Sequence, residues 1–205
     1  MAAMDLAGAE ALYPTYKYKE LFKKAADRNI PFTIHAGEAG GAAEVACAIE
    51  MGAARIGHGV RSYEDPAVVR MIREKGIFLE MCPTSNRITK AIPDMKVYPL
   101  REYLSQGIRV AVCTDDMAIC RTELKEEFEY LKKLVGLTEE EKVQILKNTK
   151  VQSIKTNEDK RIRLTLVIMP DAYGNSEFNL CIIYINGKKN REFTYENNDY
   201  FAQDG

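Results

Sequence analysis

No apolar run in this sequence approaches the roughly 20 residues that a membrane-spanning helix requires, so no membrane role is expected. The N-terminal Met1-Ala2-Ala3-Met4-Asp5 has neither a basic segment nor a long apolar one, and no signal peptide is expected. Charge of one sign is also missing. Lysine plus arginine number 29 against 30 aspartate plus glutamate, a net charge of −1, so no basic field invites nucleic acid. The five cysteines (Cys47, Cys82, Cys113, Cys120, Cys181) form an odd set without a Cys-x-x-Cys pair. That pattern points away from a disulfide framework or a thiolate zinc site and towards a reducing, cytoplasmic compartment. Low-complexity tracts are absent. Histidine is scarce, with only His35 and His58 in 205 residues.

What is present suits a globular α/β protein. The hydrophobic content is 46%, enough to bury a core. From residue 1 to about 148, short apolar runs at 4–7, 31–35, 55–58, 77–82 and 109–114 alternate with helical patterns. In residues 16–28, Tyr18, Leu21, Phe22 and Ala25 follow helical spacing with lysines opposite. Residues 42–51 form an alanine-rich helix stopped by Gly52, and 66–75 begin with Pro66 and stop at Gly76. Residues 99–106 behave likewise and stop at Gly107. In 123–133, Leu124, Phe128, Leu131 and Leu134 are expected to face inward, and Thr138 with Glu141 makes a capping box for a last helix. Strands spaced in this way suit parallel pairing through right-handed crossovers.

The character changes after Asn148. Residues 149–160 read as a linker, and 161–205 as a β-rich segment with strands at 161–169, 178–185 and 191–196. Asn186-Gly187 marks a hairpin turn between the last two.

Polar groups gather where the apolar runs end: Asp5 and Gly8, His35 and Glu38, His58, Thr84-Ser85-Asn86, and Asp115-Asp116. Parallel strands in a barrel bring such ends to one face. Imidazole with carboxylate is a donor set suited to zinc, and a zinc ion lowers the pKa of its water to roughly 7. Glu38 follows His35 in a glycine-bounded loop and can shuttle protons in the same mouth. Each residue alone has a plainer reading: a hydrogen-bonded strand-end histidine, a helix N-cap pair at Asp115-Asp116, or turn glycines at Gly57 and Gly59. Their recurrence at every strand end favours chemistry.

Five segments together resemble the successive strand ends of the adenosine deaminase family: Asp5-Leu6-Ala7-Gly8, Thr33-Ile34-His35-Ala36-Gly37-Glu38, Arg55-Ile56-Gly57-His58-Gly59, Leu79-Glu80-Met81-Cys82-Pro83-Thr84-Ser85-Asn86 and Thr114-Asp115-Asp116. The resemblance implies a partial TIM (β/α) barrel of about five βα units over residues 1–148. It implies hydrolytic deamination of adenosine or a related 6-aminopurine, with zinc as cofactor and a purine nucleoside as small-molecule partner. By the same resemblance His35 and Asp115 match metal ligands, and Glu38 matches the proton donor to the ring nitrogen. His58 matches the histidine that orients and deprotonates the metal-activated water. Gly8 and Asp116 match contacts to the base.

The departures are equally specific. The family's His-x-His pair, which supplies two further zinc ligands, is not in this sequence, and Met117 stands where the family usually has proline. His35 and Asp115 then give zinc two protein ligands, against the three or four expected. Five of eight strands leave open edges, where self-association or complementation is expected. Residues 178–197 resemble a laminin-G or lectin-like segment. The alternative reading is therefore a non-catalytic remnant, or a fusion whose β-rich tail is a binding module.

Overall fold

In a computed structural model of the chain, the structure describes residues 3–148, leaving aside the side chains of residues 147 and 148. Beyond them it describes the backbone of strands at 162–168, 179–185, 188–196 and 199–202.

Five strands, β1 (Met4–Leu6), β2 (Phe32–Ala36), β3 (Arg55–His58), β4 (Phe78–Met81) and β5 (Arg109–Val112), form one parallel sheet in sequence order. The register stacks Ile34, Ile56, Leu79 and Val110 in one row across four strands, each without exposed surface. That row faces the helices. The next row, His35, Gly57, Glu80 and Ala111, lies on the opposite face. Period-2 alternation thus assigns apolar side chains to the helix layer and chemistry to the inner face.

The helices that return the chain are α1 (Lys19–Ala26), α2 (Ala42–Glu50), α3 (Pro66–Lys75), α4 (Pro83–Ile88) and α5 (Leu100–Ser105). After β5 come α6 (Met117–Cys120), α7 (Leu124–Val135) and α8 (Glu139–Asn148). The α3 helix shows its sequence logic plainly. Asp65 accepts from the Ala67 N–H, Pro66 takes the first helical position, and Gly76 ends the helix at φ 62°. The Thr138–Glu141 capping box also forms, each side chain bonding the other's backbone N–H.

Two residues expected to face inward do not. Leu21 and Leu124 are exposed, whereas Phe22, Ala25, Phe128 and Leu131 are buried. A 3₁₀ turn over Thr15–Tyr18 precedes α1. Leu21 lies within α1 at the edge of the stripe that Phe22 and Ala25 define, and it meets solvent. Leu124 opens α7, one turn ahead of the residues that meet the sheet.

The second sheet is antiparallel, β6 (Ile162–Ile168), β7 (Asn179–Ile185), β8 (Lys188–Glu196) and β9 (Asp199–Ala202), in that order. It has one strand more than the sequence pattern suggested. Asn186-Gly187 and the whole of the expected linker, 149–160, lie outside the described residues. No described helix is long and apolar enough to cross a membrane.

Candidate active site

At the C-terminal end of the parallel sheet the chain leaves its strands through left-handed backbone. Gly8 has φ 132°, Gly37 φ 75°, His58 φ 59° and Asp115 φ 58°. Glycine adopts this region freely, but for histidine and aspartate it costs about 1–2 kcal/mol each. Strain of this kind persists where surrounding contacts over-determine it, typically at functional sites.

These turns bring His35, His58 and Asp115 together, with one donor atom from each within 4.8 Å of the others. The two imidazole rings lie 5.0 Å apart, nearly edge to face. Such close approach depends on Gly57, which pairs with His35 across β2 and β3. A Cβ there would sit 2.7 Å from His35 Nδ1. Asp5, from β1, places Oδ1 3.9 Å from His35 Nδ1, too far for a hydrogen bond. Both atoms are buried and without a hydrogen-bond partner.

Glu38 enters from the loop after β2. Its Oε2 lies 3.4 Å from His58 Nε2, while its Oε1 accepts from the Thr89 hydroxyl at 3.0 Å. Asp115 Oδ2 lies 4.0 Å from the same His58 nitrogen and accepts from Ser85 at 2.7 Å. Asp116 is beside this group, but its Oδ1 accepts from the N–H groups of Ala118 and Ile119 and caps α6. Gly8 ends β1 at the same rim and is exposed.

The electrostatics separate the two histidines. Burial works against charge on His35, yet Asp5, with Asp115 and Glu38 behind it, raises its pKa to about 9. His58 is held well below the usual histidine range by burial, with His35 adding to the effect. Burial also raises the Glu38 carboxyl, and Asp115 adds to that, so Glu38 takes up a proton more readily than a surface carboxylate.

Two supporting residues, Glu10 and Tyr98, were not legible in the sequence. Glu10 is buried, and its carboxylate accepts from the N–H groups of Gly37, Glu38 and Ala39 at 2.7, 3.0 and 2.7 Å. It holds the loop that carries Glu38. Asn86 and Tyr98 form a buried chain behind His58, with Asn86 Nδ2 2.9 Å from His58 Nδ1 and Tyr98 Oη 3.2 Å from Asn86 Oδ1. Cys47, Cys82, Cys113 and Cys120 carry free thiols.

The donor chemistry fits a borderline divalent cation. The His35 imidazole and the Asp115 carboxylate converge with His58 beside them, and the buried Asp5 carboxylate backs His35, as outer carboxylates commonly back metal-bound histidines. A parallel βα sheet delivering this set to its C-terminal rim places the chain in the class of (β/α) barrel proteins that carry their sites at that rim.

Comparison with known proteins narrows the class. The adenosine deaminase family model matches residues 1–169. An adenosine deaminase of Haemophilus ducreyi is 40% identical over 164 residues, covering 80% of this chain and 48% of that protein. One from Enterococcus faecalis is 34% identical, covering 79% and 48%. Among solved structures, an adenine deaminase from Arthrobacter aurescens superimposes with TM-score 0.70 at 30% identity, over 77% of this chain and 48% of that one. An amidohydrolase from Burkholderia ambifaria, solved with bound Zn, shares the fold with TM-score 0.68 at 21% identity, over 77% and 44%. The chain belongs to the adenosine deaminase family. It spans about half the length of the curated relatives it matches.

Proposed function

We propose that this chain carries the strand-end machinery of a hydrolytic deaminase acting on adenosine or a related 6-aminopurine, in a cytoplasmic setting. The observation that carries the reading is the convergence of His35, His58, Asp115 and Glu38 at the ends of parallel strands. His35 and Asp115 would hold zinc, which when bound supplies a water activated for attack at neutral pH. Asp5 supports the His35 ring from behind, and Ser85 fixes the Asp115 carboxylate.

Deamination needs an oxygen delivered to the amino-bearing carbon and a proton delivered to the adjacent ring nitrogen. Glu38 is the proton donor: it is largely buried, its pKa is raised, and Thr89 holds one of its oxygens. His58 faces the same space and orients the attacking water. Asp116 and the Gly8 backbone contact the base. The ring nitrogen takes the proton from Glu38, and the added water gives its oxygen to the product, one proton to the amino group that departs as ammonia, and the other proton back to Glu38.

The test is the ultraviolet change of adenosine becoming inosine. The purified chain would be assayed with zinc, alone and mixed with the other half of the Haemophilus ducreyi relative. Turnover in either case supports the reading, and Glu38→Gln should then lower kcat by ~10²- to 10⁴-fold with zinc content unchanged. Folded, zinc-saturated chain that turns over nothing in either setting overturns it.

A further inference from the structure

His58 is one of the least exposed side chains in the molecule, at 1%, and its two ring nitrogens meet opposite surroundings. Nε2 faces the carboxylates of Glu38 at 3.4 Å and Asp115 at 4.0 Å. Nδ1 faces away from the rim and meets Asn86 at 2.9 Å. Asn86 is fully buried, and its Oδ1 lies 3.2 Å from the hydroxyl of Tyr98, itself almost without exposed surface. No other hydrogen bond of that hydroxyl is found among the described residues.

Two independent arguments set the direction of this chain. A buried hydroxyl proton without an acceptor costs about 1–3 kcal/mol, so the Tyr98 O–H donates to Asn86 Oδ1. The amide is thereby oriented with its NH2 towards the ring and donates to Nδ1. A neutral imidazole that accepts at Nδ1 carries its proton on Nε2. Asp115 argues for the same answer from the other side. A lone pair on Nε2 would face the Asp115 carboxylate, whereas an N–H there is attracted to it. A ring that accepts at Nδ1 has no proton there, so the choice of tautomer follows from the Asn86 contact itself.

We propose that Asn86, oriented by Tyr98, is a positioning residue that locks His58 as the Nε2–H tautomer, so that this histidine presents a proton rather than a lone pair to the reacting centre. Two consequences follow. His58 cannot ligate a metal through Nε2 while this chain stands, although it lies within reach of His35 and Asp115. Its part in the deaminase reading above becomes hydrogen-bond donation to the attacking oxygen, not removal of a proton from it. The second consequence rests on that reading; the tautomer does not.

The test needs neither substrate nor metal, so failure of the deaminase reading leaves it intact. The chain has only two histidines, so a long-range ¹⁵N–¹H correlation spectrum of the full ¹⁵N-labelled chain shows both rings without crowding. His58 should show a protonated Nε2 and an unprotonated Nδ1. A carboxylate at position 86 cannot donate, so Asn86→Asp should move the proton to Nδ1. Tyr98→Phe should replace the single tautomer with a mixture, because the amide is then free to turn over. Circular dichroism identifies a variant that does not fold, and the wild-type spectrum decides the matter even then. A proton on Nδ1 in the wild type overturns the proposal, as does an unchanged Nε2–H tautomer in the folded variants.

Discussion

Gly57 and Glu10 show how much of this site rests on residues with no chemistry of their own. Gly57 leaves room for the His35 ring, which a Cβ would approach to 2.7 Å. Gly57→Ala should destabilise the fold by about 1–3 kcal/mol through overpacking, and should also weaken zinc binding because the ring is displaced. Urea unfolding and zinc titration of the same variant separate the two effects. Glu10 neutralises three consecutive N–H groups in a loop that bends through left-handed backbone at Gly37. Glu10→Ala orphans those donors and should lower the unfolding free energy by about 3 kcal/mol in urea titration. Glu10→Gln, which keeps one acceptor oxygen, should lose less. Glu10 escaped sequence reading because its partners lie 27 to 29 residues away. Nothing local distinguishes it from an exposed loop acid. His35, Glu38, His58 and Asp115 were legible because each follows an apolar strand, and strand direction alone gathers their ends.

At the scale of elements, α4 is the informative case. It has six residues and carries Ser85 and Asn86 into the site. Pro83 at its start was readable, but the group that satisfies its N-terminus was not. Glu127 of α7, with no exposed surface, accepts from the Thr84 N–H at 3.0 Å and from the Thr122 hydroxyl at 2.7 Å. In the sequence Glu127 sits among Glu123, Glu126 and Glu129 and reads as part of a solvated face. Only the packing of α7 against α4 makes it an interior cap. Glu127→Ala should cost about 2–3 kcal/mol in urea unfolding, since a buried donor loses a charged acceptor. It should also perturb the environment of His58 through Asn86, visible as a change in the histidine ring signals. The α3 helix, by contrast, was legible at both ends, because its Pro66 and Gly76 signals are local. The exposure of Leu21 in α1 was not, because it sits at the edge of the apolar stripe, where periodicity alone does not separate buried from exposed.

For the whole molecule, the parallel sheet ends at β1 and β5, and neither strand has a second hydrogen-bonded partner among the described residues. The β6 strand passes close to β1 without pairing with it. Unpaired edges promote strand addition, so light scattering should show mass rising with protein concentration. The larger claim is that the chain's own strand ends build a metal centre around His35 and Asp115. It is tested most directly by calorimetric zinc titration of the wild-type chain beside His35→Ala and Asp115→Asn. Asparagine tolerates the left-handed backbone at 115, so the second variant removes a charge without adding strain. One zinc per chain is expected in the wild type, with binding at least ~100-fold weaker in each variant, at or beyond the cost of losing an outer partner. Zinc bound equally well by all three proteins, or by none, would contradict it.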